Sequence, residues 1–459
     1  MKIVVLNGSP KGESSCTIHS ALYLQKKFPE HEFHIMHIAK RIKGIERKRK
    51  TFDKIIAEID HADGVLWAFP LYLLLVPSHL KRFIELIYER GAETAFSGKY
   101  TAALSTSIHF YDHIAHHYMQ GICDDLDMRF VASFPADMMD LIDKDERERL
   151  VQFGEHFLST IQGQYPMTKR FRPLIQRDFI YIPGEGAHAI DAGDKQVLVV
   201  TDARPEDVNL QRMVDRFAAS FTPGIEVVNL RDLKIISSCI GCLQCGYANE
   251  CVFDERDDFM DFFRDKVLAA DVLIIAGRMT DRYLSSLWKT YFDRSFFMGH
   301  FPSLIGTQLG LIISGPLGDN ENLRAYFEGY AGWQQANLLG FVTDDIGDSE
   351  TIDTQLQEMA RQGIMFADSG YVPPSSFLGV GAHKVFRDEI WGRLRTVFQA
   401  DHRAYKVTKG YDFPMWDLPT HMMAHVGTLG MSIPKSRKRV QQMLKDGVSF
   451  RHRKIVEKA

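Results

Sequence analysis

The sequence predicts an α/β protein built from two doubly wound parallel sheets in tandem, followed by a mainly helical C-terminal extension. Three observations carry this expectation. The chain has 459 residues, too many for one hydrophobic core and enough for two or three compact units. A strand, loop and helix pattern fills its first third and starts again at about residue 196, and an internal repeat of that kind signals duplicated architecture. Past Asp368 the alternation stops and helical periodicity takes over.

In the first half, Lys2 to Leu6 is a β-branched apolar run that ends at a polar loop and enters a helix predicted from His19 to Lys27. Further strands are predicted at Glu32 to Ile38, Gly64 to Phe69, Tyr100 to Leu104 and Arg129 to Ala132, with an amphipathic helix from Ser78 to Tyr88. The second half repeats the order. Its strands fall at Gln196 to Val200, Ile225 to Leu230, Asp271 to Ile275, Gln308 to Ile313 and Asn337 to Val342, with helices at Leu210 to Ser220 and Ser285 to Phe292. Strands alternating with helices at this spacing imply βαβ units and a parallel sheet covered on both faces.

The expected domains are therefore 1–162 and 196–368, joined by a linker at 163–195 that is rich in Pro and Gly, with the extension at 369–459. Phe179 to Ile182 in the linker has the composition of an added strand. In the extension, Phe386, Ile390, Trp391, Leu394, Val397 and Phe398 recur at helical spacing, so one face should pack on the body. Trp391, Tyr411 and Trp416 are candidates to cap a ligand pocket, although core packing is the commoner role for such aromatics. The last stretch, Lys435 to Lys458, is basic and reads as a solvated helical tail.

A formal net charge of −4 leaves no concentrated basic surface over the chain as a whole, which argues against a nucleic-acid partner. No apolar run approaches the ~20 residues that span a bilayer. Met1 leads into an apolar run broken at once by Asn7-Gly8-Ser9-Pro10, too short for a signal peptide, so a cytoplasmic protein is expected. Four of the six cysteines fall between Cys239 and Cys251. In a reducing compartment such bunching reads as metal binding before disulfide.

The loop Asn7-Gly-Ser-Pro-Lys-Gly-Glu-Ser-Ser-Cys-Thr17 lies between the first strand and first helix, where a doubly wound sheet opens its ligand crevice. Gly8 and Gly12 permit close backbone approach, Ser9, Ser14, Ser15 and Thr17 bring hydroxyls, and a helix N-terminus points at the loop, a nest suited to a terminal phosphomonoester. A Walker loop and a three-glycine dinucleotide fingerprint are both missing from it. An ordinary helix cap is the competing reading.

The loop after the third strand, Phe69-Pro-Leu-Tyr-Leu-Leu-Leu-Val-Pro77, offers an apolar wall stiffened by prolines, as a flat isoalloxazine ring needs. Pro70, Leu71, Tyr72 and Leu73 are its candidate contacts. The loop after the fourth strand, Ser105 to Asp112, adds Thr106, Ser107 and His109. For His109, His113, His116 and His117 a structural role is as good a reading as proton transfer.

On these residues the N-terminal half resembles the flavodoxin-like superfamily of NADPH-dependent FMN reductases and quinone reductases. The Gly8-Ser-Pro-Lys11 to Thr17 loop and the Pro70-x-Tyr72 turn leading to Leu80-Lys81-x-Phe83 carry the likeness. The resemblance implies two flavodoxin-like domains, FMN as cofactor, and phosphate contacts from Ser9, Lys11, Ser14, Ser15, Cys16 and Thr17. Cys16 stands where the family usually has Asn.

In the second half, Cys239-Ile-Gly-Cys242-Leu-Gln-Cys245 with Cys251 following can wrap one small iron–sulfur cluster. Structural zinc draws more often on two separated knuckles, and a metal-free loop is a third reading. The run resembles that of the iron–sulfur flavoproteins of the same superfamily, as do Asp257-Asp258 and Lys289-x-Tyr-Phe-Asp-Arg294; the likeness implies a 4Fe-4S cluster on Cys239, Cys242, Cys245 and Cys251. Here the phosphate-loop position reads Thr201-Asp-Ala-Arg-Pro-Glu-Asp-Val-Asn209 and the flavin-loop position Gly277-Arg-Met-Thr-Asp-Arg282. Those acids would repel a phosphate, so loss of a second FMN is expected. Arg204, Arg278 and Arg282 leave room for another anion, with surface arginines the commoner explanation.

The expected function is an FMN-dependent iron–sulfur oxidoreductase or electron-transfer flavoprotein, with electrons passing between FMN in one domain and a cluster in the other. Relatives of this kind pair as homodimers with flavin near the contact, so the tandem would imitate such a pair. The alternatives are an FMN-dependent NAD(P)H quinone or nitro reductase without a redox cluster, and a zinc-stabilised flavin-binding adaptor. NAD(P)H as electron donor, a donor or acceptor protein, a small-molecule acceptor and a homo-oligomer all fit this reading. No catalytic acid or base stands out.

Overall fold

Strands that are apolar along their whole length suit a parallel sheet with both faces covered. The computed structural model describes residues 1–185, 189–298 and 300–439. In it the first half runs β1 (Lys2–Asn7), α1 (Cys16–Lys27), β2 (Glu32–His37), α2 (Ile42–Arg47), α3 (Arg49–Asp60), β3 (Gly64–Pro70), α4 (Ser78–Glu89), β4 (Tyr100–Ser107), α5 (Asp112–Asp125), β5 (Arg129–Asp137) and α6 (Lys144–Gly163). The second runs β6 (Val197–Thr201), α7 (Val208–Ala218), β7 (Glu226–Asn229), α8 (Cys245–Ala248), α9 (Phe259–Phe262), β8 (Val272–Arg278), α10 (Ser286–Arg294), β9 (Gln308–Ser314), α11 (Glu321–Gln334), β10 (Asn337–Thr343) and α12 (Ser349–Ser369). Helices α13 (Phe377–Trp391), α14 (Gln399–Val407) and α15 (Leu418–Ser432) follow.

The strands form two five-stranded sheets, ordered β2-β1-β3-β4-β5 and β7-β6-β8-β9-β10. Every named pair is parallel. Both are the flavodoxin-like order, in which the crevice opens beside the first and third strands. In the first sheet Ile3 and Val5 pack with Ile18, Ala21 and Leu24 of α1 and Phe153 and Phe157 of α6. In the second, Val199, Ile274 and Ile312 meet Leu210, Met213 and Phe217 of α7 and Ile352 and Leu356 of α12.

The two halves join through corresponding helices, α4 on α10 and α5 on α11. Ser78, Lys81 and Glu85 of α4 answer to Ser286, Lys289 and Asp293 of α10, and their bonds are reciprocal. The Ser78 amide donates to Asp293 Oδ2 at 2.7 Å, and the Ser286 amide donates to Glu85 Oε1 at 2.5 Å. Lys81 pairs with Glu85 and reaches across to Asp281 at 3.0 Å and Thr280 at 2.9 Å. Lys289 pairs with Asp293 and reaches across to the Tyr72 carbonyl at 2.8 Å. Both lysines are fully buried, so these contacts must satisfy them.

Three expectations are corrected. Phe179 to Ile182 forms no strand, because its polar groups bond side chains instead. The Tyr181 amide donates to Asn209 Oδ1 at 2.9 Å, and the Tyr181 hydroxyl bonds Asp353. The apolar stripe from Phe386 to Phe398 is not one helix: α13 stops at Trp391, and Gly392, with φ −93° and ψ −116°, breaks it. Phe386, Ile390 and Phe398 are buried, whereas Trp391 and Val397 are partly exposed. Arg282 is no surface arginine. It is buried, clasps Asp125 through two bonds of 2.7 Å, and donates to the Arg172 carbonyl at 2.6 Å.

Residues Met1–Ala404, with both sheets, form one compact unit, and a second begins at Tyr405. Within the second, Tyr411 stacks between Tyr405 and Phe413, and Phe413 meets Trp416 edge-on. Of the basic stretch from Lys435 to Lys458, positions beyond 439 lie outside the described residues. Among the described residues no helix is long and apolar enough to cross a membrane.

Candidate functional site

The first crevice is built by three loops. Asn7, at the end of β1, organises the first: its Nδ2 bonds the Gly12 carbonyl at 3.0 Å and His37 Nδ1 at 2.9 Å, while its Oδ1 accepts from the Ser9 amide at 3.0 Å. Gly12 turns the loop with φ +61°, which a side chain would resist. Ser9, Ser15 and Thr17 are buried, and Lys11, Ser14 and Cys16 are exposed. Ser15 caps α1 without using its side chain, so a hydroxyl and the first-turn amides face the loop. Gly8 matters for packing instead, since a Cβ there would stand 2.5 Å from Leu80 Cδ2 and its absence lets β1 and α4 approach.

The second loop is the turn Tyr72 to Leu75, closed by bonds of 2.8 and 3.1 Å in both directions. Leu73 and Leu74 occupy its middle with φ 34° and 63°, a left-handed conformation that branched side chains avoid and that costs on the order of 1–3 kcal/mol per residue. Lys289 from the other domain holds the Tyr72 carbonyl. Pro70, Leu71, Tyr72 and Leu73 remain partly exposed, forming an apolar rim. The Leu71 amide donates to the Thr106 carbonyl at 3.1 Å, and Thr106 Oγ1 meets Thr17 Oγ1 at 2.6 Å. The third loop is thus bonded to both of the others.

The histidines separate into roles. His109, with φ 60°, pairs through Nδ1 with Asp112 at 2.8 Å, and its amide donates to Ser107 Oγ at 2.9 Å. That hydrogen bond to Asp112 raises its pKa against burial, with Asp137 and Asp140 adding to the rise. His116 is buried, meets Ser105 Oγ at 2.8 Å, and has its pKa lowered to about 4, chiefly by burial. It is a neutral core histidine.

The cysteine segment follows β7 and winds through Gly241, Leu243 and Asn249, all with positive φ. Cys239, Cys242, Cys245 and Cys251 line one cavity with Phe253 and Arg294. Burial pushes the Cys245 thiol up to about 12, reinforced by Cys242 and Cys251, and raises Cys239 further still. Ionised thiolates there therefore need a positive group among them. Among the described residues no three His, Cys, Asp or Glu side chains are gathered closely enough to hold a single ion.

The charged residues that resemble the iron–sulfur flavoproteins serve the local structure. Arg294 clasps Asp257 through bonds of 2.7 and 2.9 Å and donates to the Ser237 carbonyl at 2.9 Å, while Asp257 accepts from the Ile236 amide at 3.1 Å. Asp258 accepts from the Lys234 amide at 2.8 Å. Together they staple the start of the cysteine segment to α10.

The segment reaches the first crevice. A Cβ on Gly241 would overlap Tyr72 Oη and stand 2.8 Å from Lys11 Cε. Burial, reinforced by Cys239, Asp293 and Cys242, raises the Tyr72 phenol far above its usual pKa. The likeness to paired relatives implied a cysteine loop beside the flavin of the other half, but did not single out Gly241, Tyr72 and Lys11 as the contact. A further signal was the Lys and carboxylate pair at matching places in α4 and α10.

The second crevice differs. Asp344 is consumed by Ser314 Oγ at 2.7 Å, the Gly315 amide at 2.8 Å and Asn209 Nδ2 at 3.0 Å. Arg278 pairs with Asp207 at 2.9 Å and Arg177 with Asp345 at 3.2 Å. Arg204 lies 3.7 Å from Glu206. Linker residues Gln176, Arg177, Phe179 and Ile180 lie along this cavity.

Fold and crevice define a tandem of flavodoxin-like domains with unequal sites. Residues 1–137 match the family described as NADPH-dependent FMN reductase. An iron–sulfur flavoprotein of Archaeoglobus fulgidus is 29% identical over 133 residues, which cover 28% of this chain and 59% of that relative. The chain thus spans less than two thirds of that relative's length. Among solved structures, an NADH:FMN oxidoreductase in its apo form is 21% identical, covering 34% of this chain and 89% of that one, with a TM-score of 0.30. The NAD(P)H:acceptor flavoenzyme FerB of Paracoccus denitrificans is 19% identical, covering 35% and 97%, with a TM-score of 0.30. Residues 1–137 are thus similar to the NADPH-dependent FMN reductases, and the two five-stranded parallel sheets in tandem are flavodoxin-like in strand order.

Proposed function

We propose that the chain is an FMN-dependent oxidoreductase whose first domain holds the flavin and whose cysteine segment holds a 4Fe-4S cluster, so that one chain contains a complete electron path. The observation that carries this reading is the seating of Gly241 against Tyr72 and Lys11. It brings the four-cysteine segment to the candidate flavin loops.

Ser9, Lys11, Ser14, Ser15, Cys16 and Thr17 would hold the phosphate, with Pro70, Leu71, Tyr72 and Leu73 along the ring and Thr106, Ser107 and His109 closing the pocket. The loop fits that group because its buried hydroxyls sit at a helix N-terminus. Bound FMN would accept a hydride as two electrons and release them singly, which couples two-electron donors to a one-electron cluster. Lys289 fixes the Tyr72 carbonyl, and the Asp257 and Arg294 pair fixes the cysteine segment, so both partners are pre-positioned. The bond from Asp112 fixes the His109 ring at the crevice mouth. The thiols fit a cluster in that all four line one cavity, and its positive irons would offset the burial that raises Cys239 and Cys245.

A second reading, an NAD(P)H quinone or nitro reductase without a cluster, is favoured by the match of residues 1–137 to the NADPH-dependent FMN reductases, a match that ends before the cysteine segment. A zinc-stabilised adaptor has less support, because zinc needs its thiols around one point. The deciding experiment is anaerobic purification with flavin, iron and acid-labile sulfide measured together, followed by NAD(P)H oxidation with an artificial acceptor. Flavin without iron or sulfide, together with acceptor reduction, would abandon the electron path for the simpler reductase.

A further inference from the structure

From Lys40 to Lys50, seven of eleven residues are basic and one is acidic, in a chain whose formal net charge is −4. The single acid, Glu46, is engaged by Arg82 Nε at 2.8 Å. Lys40, Arg41 and Lys48 are exposed and make no ion pair or side-chain hydrogen bond among the described residues. Together with Lys43 they rim a groove of about 470 Å³ between the α2 region and the cysteine segment. Pro10, Ile42, Ile45 and Ile240 give it an apolar lining.

A second observation points to a ligand. His79, the second residue of α4, lines the same groove, and its Nδ1 is buried without a hydrogen-bond partner. A buried polar nitrogen left unpaired costs stability, about 1–3 kcal/mol, and a groove is where a ligand can relieve it. Burial, with Lys43 and Lys289 nearby, lowers the ring's pKa against the pull of Asp293, so near neutral pH the neutral ring can give or take one bond.

We propose that this groove binds a nucleoside polyphosphate, with Lys40, Arg41 and Lys48 on the phosphates and His79 Nδ1 on the sugar or base. Three unpaired cations at one rim call for more than one phosphate, and an arginine among them suits phosphate oxygens bidentately. The volume is that of a small-ligand site, and the apolar lining gives a flat base a surface. The groove is separate from the candidate flavin nest, although Lys40 borders it: a Cβ on Gly12 would stand 2.5 Å from Lys40 Cδ. The site does not depend on flavin or cluster chemistry.

The test is isothermal titration of the purified full chain with ADP, NADPH and inorganic pyrophosphate, with flavin content measured in parallel. ADP or NADPH should bind saturably, and Arg41→Glu combined with Lys48→Glu should weaken that binding at least about tenfold while flavin content holds. His79→Phe should weaken the nucleotides but leave pyrophosphate unchanged. NADPH binding much tighter than ADP would identify a dinucleotide donor, and equal affinity a free nucleotide; either supports the site. Lack of saturable binding by both nucleotides, or binding that neither set of substitutions alters, overturns it. Should the double variant fail to fold, Lys48→Ala alone carries the charge test.

Discussion

The two halves share strand order, helix pairing and even the lysine and carboxylate at their junction, yet their crevices have opposite contents. After β1 and β3, the first half presents hydroxyls, a helix terminus and an apolar turn held under backbone strain. After β6 and β8, the second half presents Asp202, Asp207 and arginines already paired with carboxylates. The difference teaches that a sheet of this order offers a crevice but does not furnish it. What is furnished is decided by a few loop positions, and in the second half those positions serve packing.

The largest test of this asymmetry is to remove ligands of the proposed cluster. Replacing Cys239 and Cys245 together with serine should abolish bound iron and sulfide while leaving flavin near one per chain, measured by elemental analysis and absorbance. Equal loss of flavin would show that the halves are not chemically separate.

Next is the junction. Lys289→Met leaves Asp293 charged and buried without its main partner, which costs about 3–5 kcal/mol. It also frees the Tyr72 carbonyl, so flavin affinity should fall along with the midpoint of urea unfolding. An unfolding midpoint at the wild-type value would mean that the reciprocal pairs do not hold the halves together.

A smaller effect is expected from Gly241→Ala. The residue has φ +67° and no space for a methyl group beside Tyr72, so a loss of about 1–3 kcal/mol is expected. Stopped-flow reduction of cluster and flavin should show slower exchange between them. If exchange is unchanged, the path does not run through this contact.

The most graded test is acid titration. Glu85 is buried, and Lys81 together with bonds from Ser286 holds its pKa at about 2, below 4.5, against burial. A carboxylate depressed on folding stabilises the fold above its unfolded value, and that stability is lost as the pH falls from about 4.5 towards 2. Asp281 acts oppositely: burial raises it from 3.8 to about 6, so its ionisation weakens the fold as the pH rises through that window. Glu85→Gln should flatten unfolding below pH 4.5, followed by circular dichroism.

Much of this was legible from the chain. Runs such as Lys2 to Leu6 and Asp271 to Ile275 announce strands buried on both faces, and the Ser-rich and Pro-rich loops announce a crevice between them. The tandem order follows from the repeat alone. What stayed hidden depends on residues far apart in sequence. Leu73 and Leu74 take left-handed conformations that their side chains disfavour, because Lys289 and the neighbouring loop hold the turn from outside. Gly241 reads as an ordinary loop glycine until Tyr72 is placed beside it. Arg282 looks exposed until α5 brings Asp125 to it, and the stripe from Phe386 to Phe398 gives no warning that Gly392 will break it.

The reciprocal bonds between α4 and α10 have a consequence for how such a molecule can change. Where two identical chains meet about a twofold axis, every substitution is made twice and must suit both sides at once. Here Tyr72 and Thr280 occupy matching places, each held by the opposite lysine, yet they are encoded separately. One could become an aromatic rim while the other became a small hydroxyl bonded across the junction. Joining the halves in one chain frees each position from its twin, and specialisation can then proceed on one side without being paid for on the other.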